Sequence, residues 1–287
     1  MAKRNPFGAR TPGAPGDLAP SWGGRGIRGP KRTEGEGLAA VRGSRQAVQV
    51  GSPPVAPSIM DLPPERPPEL GWPGHARVRL RTWWPAKMIG TTLVMTAFFA
   101  AYFWLLDHPV FPVTVMPLIA IDRLIAFRPE ALPLYLSLWI YVSLAPALLI
   151  DRRELLSYAL AAVGLSMIGL GIFFFRPTAV PRLEADWSQY PAVAFLQSVD
   201  ASGNACPSLH VAFAVFTAVW LARVLRQMGA GPLAGAINWL WCLGIVYSTV
   251  AIRQHVALDV FAGVALGAVV AAAHLRWLRV FPGLPPI

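Results

Sequence analysis

Six apolar runs, each long enough to cross a lipid bilayer as a helix, constrain this chain more than any other feature. They occupy residues 88–106, 132–150, 155–175, 208–225, 233–252 and 256–277. Lipid offers no partner for backbone N–H and C=O groups, so a spanning segment satisfies them within a helix. The sequence therefore predicts an all-α fold, a polytopic bundle of six transmembrane helices. Only 14% of the residues are charged, against about 25% in soluble domains, which excludes an ordinary soluble enzyme.

One further apolar segment, residues 110–127, does not fit a lipid-exposed span. It contains Pro112 and Pro117, and it carries the charged pair Asp122 and Arg123. Such residues are tolerated at membrane depth only where protein or water surrounds them. We expect an interfacial or re-entrant piece, with Asp122 and Arg123 forming a local ion pair at the membrane surface.

The first 87 residues differ in composition from the rest of the chain. They contain 14 Pro and 13 Gly, and 14 basic against 6 acidic residues. Such a segment has no apolar pattern to bury and is predicted to be a disordered cytoplasmic tail. The tail is either a solvated leader, which we favour, or a basic arm that contacts anionic lipid headgroups. Residues 88–280 then form the membrane domain and residues 281–287 a short C-terminal tail, and nucleic acid is not an expected partner.

Positive charges that flank the six spans predict the orientation of the chain in the cell membrane. With both termini in the cytoplasm, ten basic residues lie at cytoplasmic helix ends: Arg77, Arg79, Arg81, Lys87, Arg152, Arg153, Arg223, Arg226, Arg276 and Arg279. Five lie at the opposite ends: Arg123, Arg128, Arg176, Arg182 and Arg253. Basic residues are enriched on the cytoplasmic side, so we expect both termini inside.

The polar residues that are least expected in a membrane domain form three clusters, within residues 176–182, 206–212 and 248–259. In the predicted orientation all three clusters lie on the non-cytoplasmic face. Guanidinium groups with the fork geometry that suits a phosphate come from Arg176, Arg182 and Arg253. We expect neither a metal site nor a cofactor, because no ligand-spaced group of histidines or cysteines is present.

His255 and Asp259 carry the clearest catalytic pattern within these clusters. They are four residues apart, which places them on one face of the sixth helix. A carboxylate there fixes the tautomer of the imidazole and leaves the other ring nitrogen free as a nucleophile. A second histidine, His210, is placed to protonate a leaving oxygen. The pattern predicts a phosphoryl-transfer site.

The spacing of these residues resembles a known family. Pro-Ser-x-His at residues 207–210, followed 45 residues later by His255 and then x-x-x-Asp, is similar to the type 2 phosphatidic acid phosphatase superfamily. The resemblance is clear over residues 176–267, and the six-helix layout extends it over most of residues 88–280. It implies that His255 forms a phosphohistidine, that Asp259 orients it, that His210 protonates the leaving group and that Ser208 binds phosphate.

Three positions depart from the pattern of that superfamily. Gly169 stands where the first motif has a Lys, Leu209 replaces the Gly of Pro-Ser-Gly-His, and Thr249 replaces an Arg. The remaining motifs look more like the branch that includes inositol phosphorylceramide synthases, which transfer a phosphoryl-alcohol headgroup between lipids. The departures place ordinary phosphatase activity in question.

The sequence therefore predicts a metal-independent membrane enzyme acting on a phosphorylated lipid at the non-cytoplasmic face through a phosphohistidine. Water as the acceptor makes it a phosphatase, and an alcohol acceptor makes it a phosphotransferase. The loop at residues 177–207 is either a lid that selects the acceptor or a plain connector. A non-enzymatic lipid transporter or assembly protein with a relict site is the alternative.

Overall fold

The computed structural model describes residues 71–181, 189–199 and 203–280. All of them belong to one compact unit, Glu65–Ile287. Residues 1–70 of the predicted tail and the C-terminal residues 281–287 lie outside the described residues. The prediction of a disordered tail is wrong for its last part, because a helix, α1, covers Trp72–Arg81 and a second helix begins at Trp84. Pro73 and Pro85 lie in the first turns of these two helices, where proline is tolerated.

The prediction of six membrane-spanning helices is confirmed. Within the described part of the chain, six helices are long and apolar enough to cross a membrane. They cover Trp84–Asp107, Pro129–Leu148, Arg152–Phe175, Leu209–Gln227, Pro232–Ala251 and Ala257–Arg279. The segment at residues 110–127 is not among them, as its prolines and charges predicted.

Each helix receives a label in chain order. The first group comprises α1, α2 (Trp84–Asp107), α3 (Ala120–Leu124), α4 (Leu132–Leu136) and α5 (Leu138–Leu148). The second comprises α6 (Arg152–Phe175), α7 (Pro191–Val199), α8 (Leu209–Gln227), α9 (Pro232–Ala251) and α10 (Ala257–Val280). A 3-10 turn, Pro129–Ala131, leads into α4, and α4 and α5 together form the second span.

Helix α8 forms the centre of the bundle. Of its most apolar stretch 67% is buried, against at most 33% in any other span. Phe216 and Trp220 on α8 are fully buried, and they pack with Tyr158 of α6. The N-terminus of α8 is therefore held by protein on several sides, which gives its first residues fixed positions.

Two short strands join the loops at the end of the bundle where α8 begins, which we call the site end. Strand β1 (Thr114–Val115) pairs in parallel with β2 (Thr178–Ala179), with Thr114 opposite Thr178. The segment after α2 is thereby tied to the segment after α6. The loop that precedes α8 joins the same group, because Ala205 N–H donates to the Thr178 carbonyl at 3.2 Å.

The other end of the bundle, which we call the opposite end, is closed by basic side chains. The Lys87 ammonium donates to the carbonyls of Arg79 at 2.8 Å and Ala147 at 2.7 Å, which ties α1 and α2 to the end of α5. The Arg152 guanidinium lies 3.6 Å above the ring of Trp83. The Lys87 ammonium thus satisfies carbonyls that helix ends leave without partners, and Arg152 adds a cation–π contact.

The predicted ion pair between Asp122 and Arg123 is wrong. Asp122 is 1% exposed, whereas Arg123 is exposed. The Asp122 carboxylate accepts hydrogen bonds from Ile119 N–H at 2.8 Å and from Ala257 N–H at 2.7 Å. Ala257 is the first residue of α10, so its N–H has no partner within that helix. The carboxylate satisfies this buried donor and complements the positive end of the helix dipole, which an exposed pair with Arg123 would not do.

Candidate active site

Two glycines bring α8 and α10 into close contact at the site end. A Cβ on Gly263 would overlap the Ser208 carbonyl oxygen, and a Cβ on Gly267 would overlap the Ala212 carbonyl oxygen. Small residues at this four-residue spacing let two membrane helices approach closely. The N-terminus of α8, with Ser208 and His210, therefore lies directly beside the first turns of α10.

Replacing Gly263 with Ala is expected to push these helices apart. The added methyl group meets a backbone carbonyl, which cannot rotate away, and overpacking of this kind costs about 1–3 kcal/mol. A displaced α8 should also lower turnover by about tenfold to a hundredfold. Thermal unfolding and kcat of the purified protein measure the two effects. Gly164→Ala is the control, because a Cβ there meets nothing within 4 Å; equal behaviour of the two variants would contradict the prediction.

His255 and Asp259 face each other, but His255 lies in the turn before α10, which begins at Ala257, so the prediction that both share a face of the sixth helix is wrong. His255 Nδ1 lies 3.6 Å from Asp259 Oδ2, and the side chains are 11% and 0% exposed. That distance is longer than a hydrogen bond, and catalytic contacts often shorten only when substrate is bound. Among the described residues, His255 Nδ1 and Asp259 Oδ1 have no hydrogen-bond partner. The Asp259 Oδ2 atom also accepts from Val256 N–H at 3.1 Å, which fixes the carboxylate at the start of α10.

The turn between α9 and α10 sets the position of His255. His255 N–H donates to the Thr249 carbonyl at 3.1 Å, and Arg253 has a left-handed backbone with φ of 63°. The Arg253 guanidinium donates to the carbonyls of Asp122 at 2.9 Å and Ile125 at 2.8 Å. Arg253 was predicted to bind phosphate, and its two terminal nitrogens instead hold the α3 segment. Phosphate binding by Arg253 stays a prediction. Its Nε is buried and has no hydrogen-bond partner among the described residues, so this is the nitrogen that would donate to a phosphate.

His210 lies in the first turn of α8 and is held by the second span. Its Nε2 is 3.1 Å from the Tyr135 carbonyl oxygen, and its ring stacks on the Tyr135 ring with centroids 3.9 Å apart. A carbonyl only accepts, so this bond assigns the proton to Nε2 and leaves Nδ1 for other chemistry. His210 also lies within electrostatic range of His255. The structure thus brings the two histidines to one site.

Ser208 is fully buried and serves as the N-cap of α8. Its Oγ accepts from Val211 N–H at 3.3 Å, and its own N–H donates to the Asp259 carbonyl at 3.0 Å. The second contact ties the start of α8 to the start of α10 near His255. The predicted contact of Ser208 with phosphate stays a prediction.

Cys206 lies beside this group without the properties of a nucleophile. Burial, with a smaller contribution from the Asp259 carboxylate, raises the pKa of the Cys206 thiol to about 11. The thiol is therefore protonated at neutral pH, and the thiolate is the form of cysteine that reacts. The geometry favours the imidazoles as the reactive groups.

The other two predicted arginines are placed differently. Arg176 follows α6 directly at the site end, is exposed, and pairs with no other described residue. An exposed guanidinium at that position can approach an anion. Arg182 lies outside the described residues, and the roles of both arginines stay predictions. The part of the chain that the structure covers holds no group of three or more His, Cys, Asp or Glu side chains that could hold a metal ion.

Two of the three departures from the superfamily pattern touch each other. A Cβ on Gly169 would overlap the Leu209 side chain, so Leu209 fills the space above Gly169 in the wall between α6 and α8. The third departure, Thr249, is buried and donates its hydroxyl to the Val246 carbonyl at 2.8 Å. Gly169, where the superfamily pattern has a Lys, is therefore part of an apolar contact. Thr249, where the pattern has an Arg, bonds within its own helix.

Sequence reasoning missed Asp122 as a residue of this site. Its carboxylate caps the helix that carries Asp259, and its carbonyl accepts from Arg253, two residues before His255. The available signal was a carboxylate within an apolar segment, which is costly in a membrane unless it has a function or a partner. The neighbouring Arg123 suggested the wrong partner.

Comparison with known protein families agrees with this geometry. Residues 154–281, a little less than half of the chain, match the family model described as the PAP2 superfamily. The matched stretch contains α6 and α8–α10, and with them His210, His255 and Asp259. Together with the six spans, the match supports a membrane lipid phosphatase or phosphotransferase. No curated protein and no solved structure was found to match the chain.

Proposed function

We propose that this chain is a membrane-embedded enzyme of the PAP2 superfamily that cleaves a phosphate ester of a lipid without a metal ion. One observation carries the proposal: Ser208, two residues before His210, donates its N–H to the Asp259 carbonyl, so the start of α8 is tied to the residue that faces His255. Two imidazoles and one orienting carboxylate supply a nucleophile and a general acid. Arg176, exposed at the same end, and Arg182 would contact the phosphate oxygens.

In the proposed first half-reaction, His255 attacks phosphorus. Its Nδ1 faces Asp259, so Nε2 is the nitrogen that forms the N–P bond, while the Asp259 carboxylate orients Nδ1–H and stabilises the positive charge that forms on the ring. The P–O bond to the leaving alcohol breaks, and the leaving oxygen takes a proton from Nδ1 of His210, which enters this step doubly protonated while Nε2–H stays bonded to the Tyr135 carbonyl. In the second half-reaction, water or an alcohol attacks the phosphohistidine and gives its proton back to His210, which frees His255.

We favour an alcohol as the acceptor, so that the enzyme transfers a phosphoryl-linked headgroup. Gly169 and Thr249 stand at two positions where the superfamily pattern has cations, and Leu209 closes the space above Gly169. A phosphomonoester carries up to two negative charges at phosphorus and a phosphodiester carries one, so a site with fewer cations suits the diester better. The apolar Leu209 side chain also disfavours water beside the phosphohistidine. This agrees with the resemblance to the inositol phosphorylceramide synthase branch.

We also propose that the site lies on the extracytoplasmic face of the cell membrane, with both termini in the cytoplasm. The support is the ratio of ten to five basic residues at the two sets of helix ends. The basic contacts of Lys87 and Arg152 at the opposite end of the bundle agree with a cytoplasmic position for that end.

Headgroup transfer is expected to exceed hydrolysis. Two assays use the purified protein in EDTA. In the first, it receives phosphatidylinositol and a long-chain alcohol, and mass spectrometry measures the phosphorylated alcohol. In the second, it receives phosphatidic acid without an alcohol, and free phosphate is measured. We expect transfer to be faster by about tenfold or more, because losing a charge contact to the dianion costs at least about 1.4 kcal/mol. The control is His255→Ala. Faster phosphate release from phosphatidic acid would identify a phosphatase, and lipid binding without any product would favour the transporter alternative.

A further inference from the structure

A long cavity runs along the bundle beside the candidate active site. Its volume is about 730 Å³, and α2, α5, α6 and α8 form its walls. The lining is predominantly apolar and rich in aromatic side chains, such as Phe99, Trp139 and Phe213. Its position within the spans means that hydrocarbon, rather than water, is the matching occupant.

The length of the cavity matches the hydrocarbon core of a membrane. Its lining residues on α2 extend from Lys87 to Phe103, with Trp83 just before the helix. At about 1.5 Å per residue, the distance from Trp83 to Phe103 is about 30 Å, which is the thickness of the hydrocarbon core. The most apolar stretch of α2 has no buried residue, so α2 borders the cavity without filling it.

One end of the cavity opens onto the reactive groups. His210 and the stacked Tyr135 line it at the site end, together with Leu209, whose side chain fills the space above Gly169. Lys87 and the stacked pair of Arg152 and Trp83 line the opposite end. A lipid whose phosphate lies between His210 and His255 therefore has an apolar path for a chain directly behind it.

We propose that this cavity binds a hydrocarbon chain of the lipid substrate and selects lipids with a chain that extends beyond the middle of the membrane. The proposal rests on the proposed function, because the phosphate of the same lipid occupies the candidate active site. A long chain contacts the apolar lining along the whole cavity, and within the membrane it is held by van der Waals packing against these side chains. A short chain ends near the site and gains little from the distant half.

A tryptophan in the middle of the cavity should shorten the chain that fits. Val94 and Phe103 both line the cavity, and Phe103 lies near its site end. At about 1.5 Å per residue, Val94 is about 14 Å from Phe103 along α2. Val94→Trp is expected to lower kcat/KM for headgroup transfer from dipalmitoyl phosphatidylinositol relative to dihexanoyl phosphatidylinositol by about tenfold, because the indole overpacks the space that the distal half of the long chain occupies. Leu93→Trp is the matched control, since Leu93 is 66% exposed and does not line the cavity. An equal ratio of the two substrates in both variants would overturn the proposal.

A binding measurement separates this proposal from the proposed function. Phosphatidic acid with a diazirine at the end of one long chain is photo-crosslinked to His255→Ala protein in nanodiscs, which requires no turnover. We expect labelling of cavity residues in the half distant from the site, such as Thr91 and Ala159. Excess unlabelled phosphatidic acid should compete and diacylglycerol should not. Labelling confined to outer positions such as Leu93 would refute chain binding even if the enzyme proves active. Labelling within the cavity with equal competition by both lipids would instead refute the contribution of the phosphate site.

Discussion

Replacing His255 with Ala is expected to lower turnover by about a thousandfold or more while the protein folds normally. The variant loses the nucleophile, and the effects of removing a covalent catalyst are of this size. The ring is 11% exposed and its Nδ1 has no hydrogen-bond partner among the described residues, so its loss leaves few broken contacts. Product formation from the preferred donor, together with thermal unfolding of the purified protein, checks both parts of this expectation.

His108→Ala provides the matched control for His255→Ala. His108 lies at the same end of the bundle, is exposed, and contacts Trp104 of its own helix. Its removal should leave turnover within about twofold of the wild type, as for surface substitutions in general. If His255→Ala retained full activity, the proposed mechanism would be wrong, and if both variants lost activity equally, the assay would be reporting damage to the site end.

Replacing Asp122 with Ala is expected to lower both stability and turnover, although Asp122 lies 133 residues before His255 in the chain. The change leaves the N–H groups of Ile119 and Ala257 buried without their acceptor, and each orphaned donor costs about 1–3 kcal/mol. It also releases the start of α10, which carries Asp259. A misplacement of about 1 Å at reacting atoms costs up to about a hundredfold in rate, so we expect kcat to fall by tenfold or more.

The test of Asp122 compares kcat, KM and thermal unfolding of three variants with those of the wild type. Asp107→Ala is the control, because Asp107 is exposed at the end of α2. Asp122→Asn keeps one acceptor oxygen and should recover part of the lost kcat. A positioning role predicts that kcat falls more than KM rises. A lower unfolding temperature with unchanged kcat would show that Asp122 supports the fold alone.

The transmembrane layout was predictable because it depends on a local property. An apolar run of about 20 residues has one stable conformation in lipid, whatever its neighbours are. The approach of His255 to Asp259 agrees with their short separation in the chain, but His255 lies in the turn before α10, so the two residues do not share a helix face. The amphipathic α1 escaped prediction because Pro and Gly around it indicate disorder, while its contacts with α5 depend on distant residues, such as the bond from Arg79 to the Leu148 carbonyl.

Long-range contacts explain the parts of the site that sequence reasoning could not supply. The Asp122 carboxylate accepts a hydrogen bond from Ala257 N–H, 135 residues away, and does not pair with the adjacent Arg123, because the first N–H groups of α10 have no partner within the helix. The Arg253 guanidinium was predicted to bind phosphate because its N–H groups form a fork. The same fork donates to two backbone carbonyls, those of Asp122 and Ile125. The contact of Gly169 with Leu209 joins two departures that the sequence presents as independent.

The most direct test of the central claim is to trap the covalent intermediate. Protein is mixed with the preferred lipid donor carrying ³²P at phosphorus, quenched with alkali within the turnover time, and analysed by peptide mapping. A phosphohistidine mechanism predicts alkali-stable, acid-labile label on the peptide that contains His255, and none in His255→Ala. Label on another residue would contradict the account. So would the absence of phosphoprotein at His255 when the acceptor alcohol is left out, if the same protein forms product when the acceptor is present.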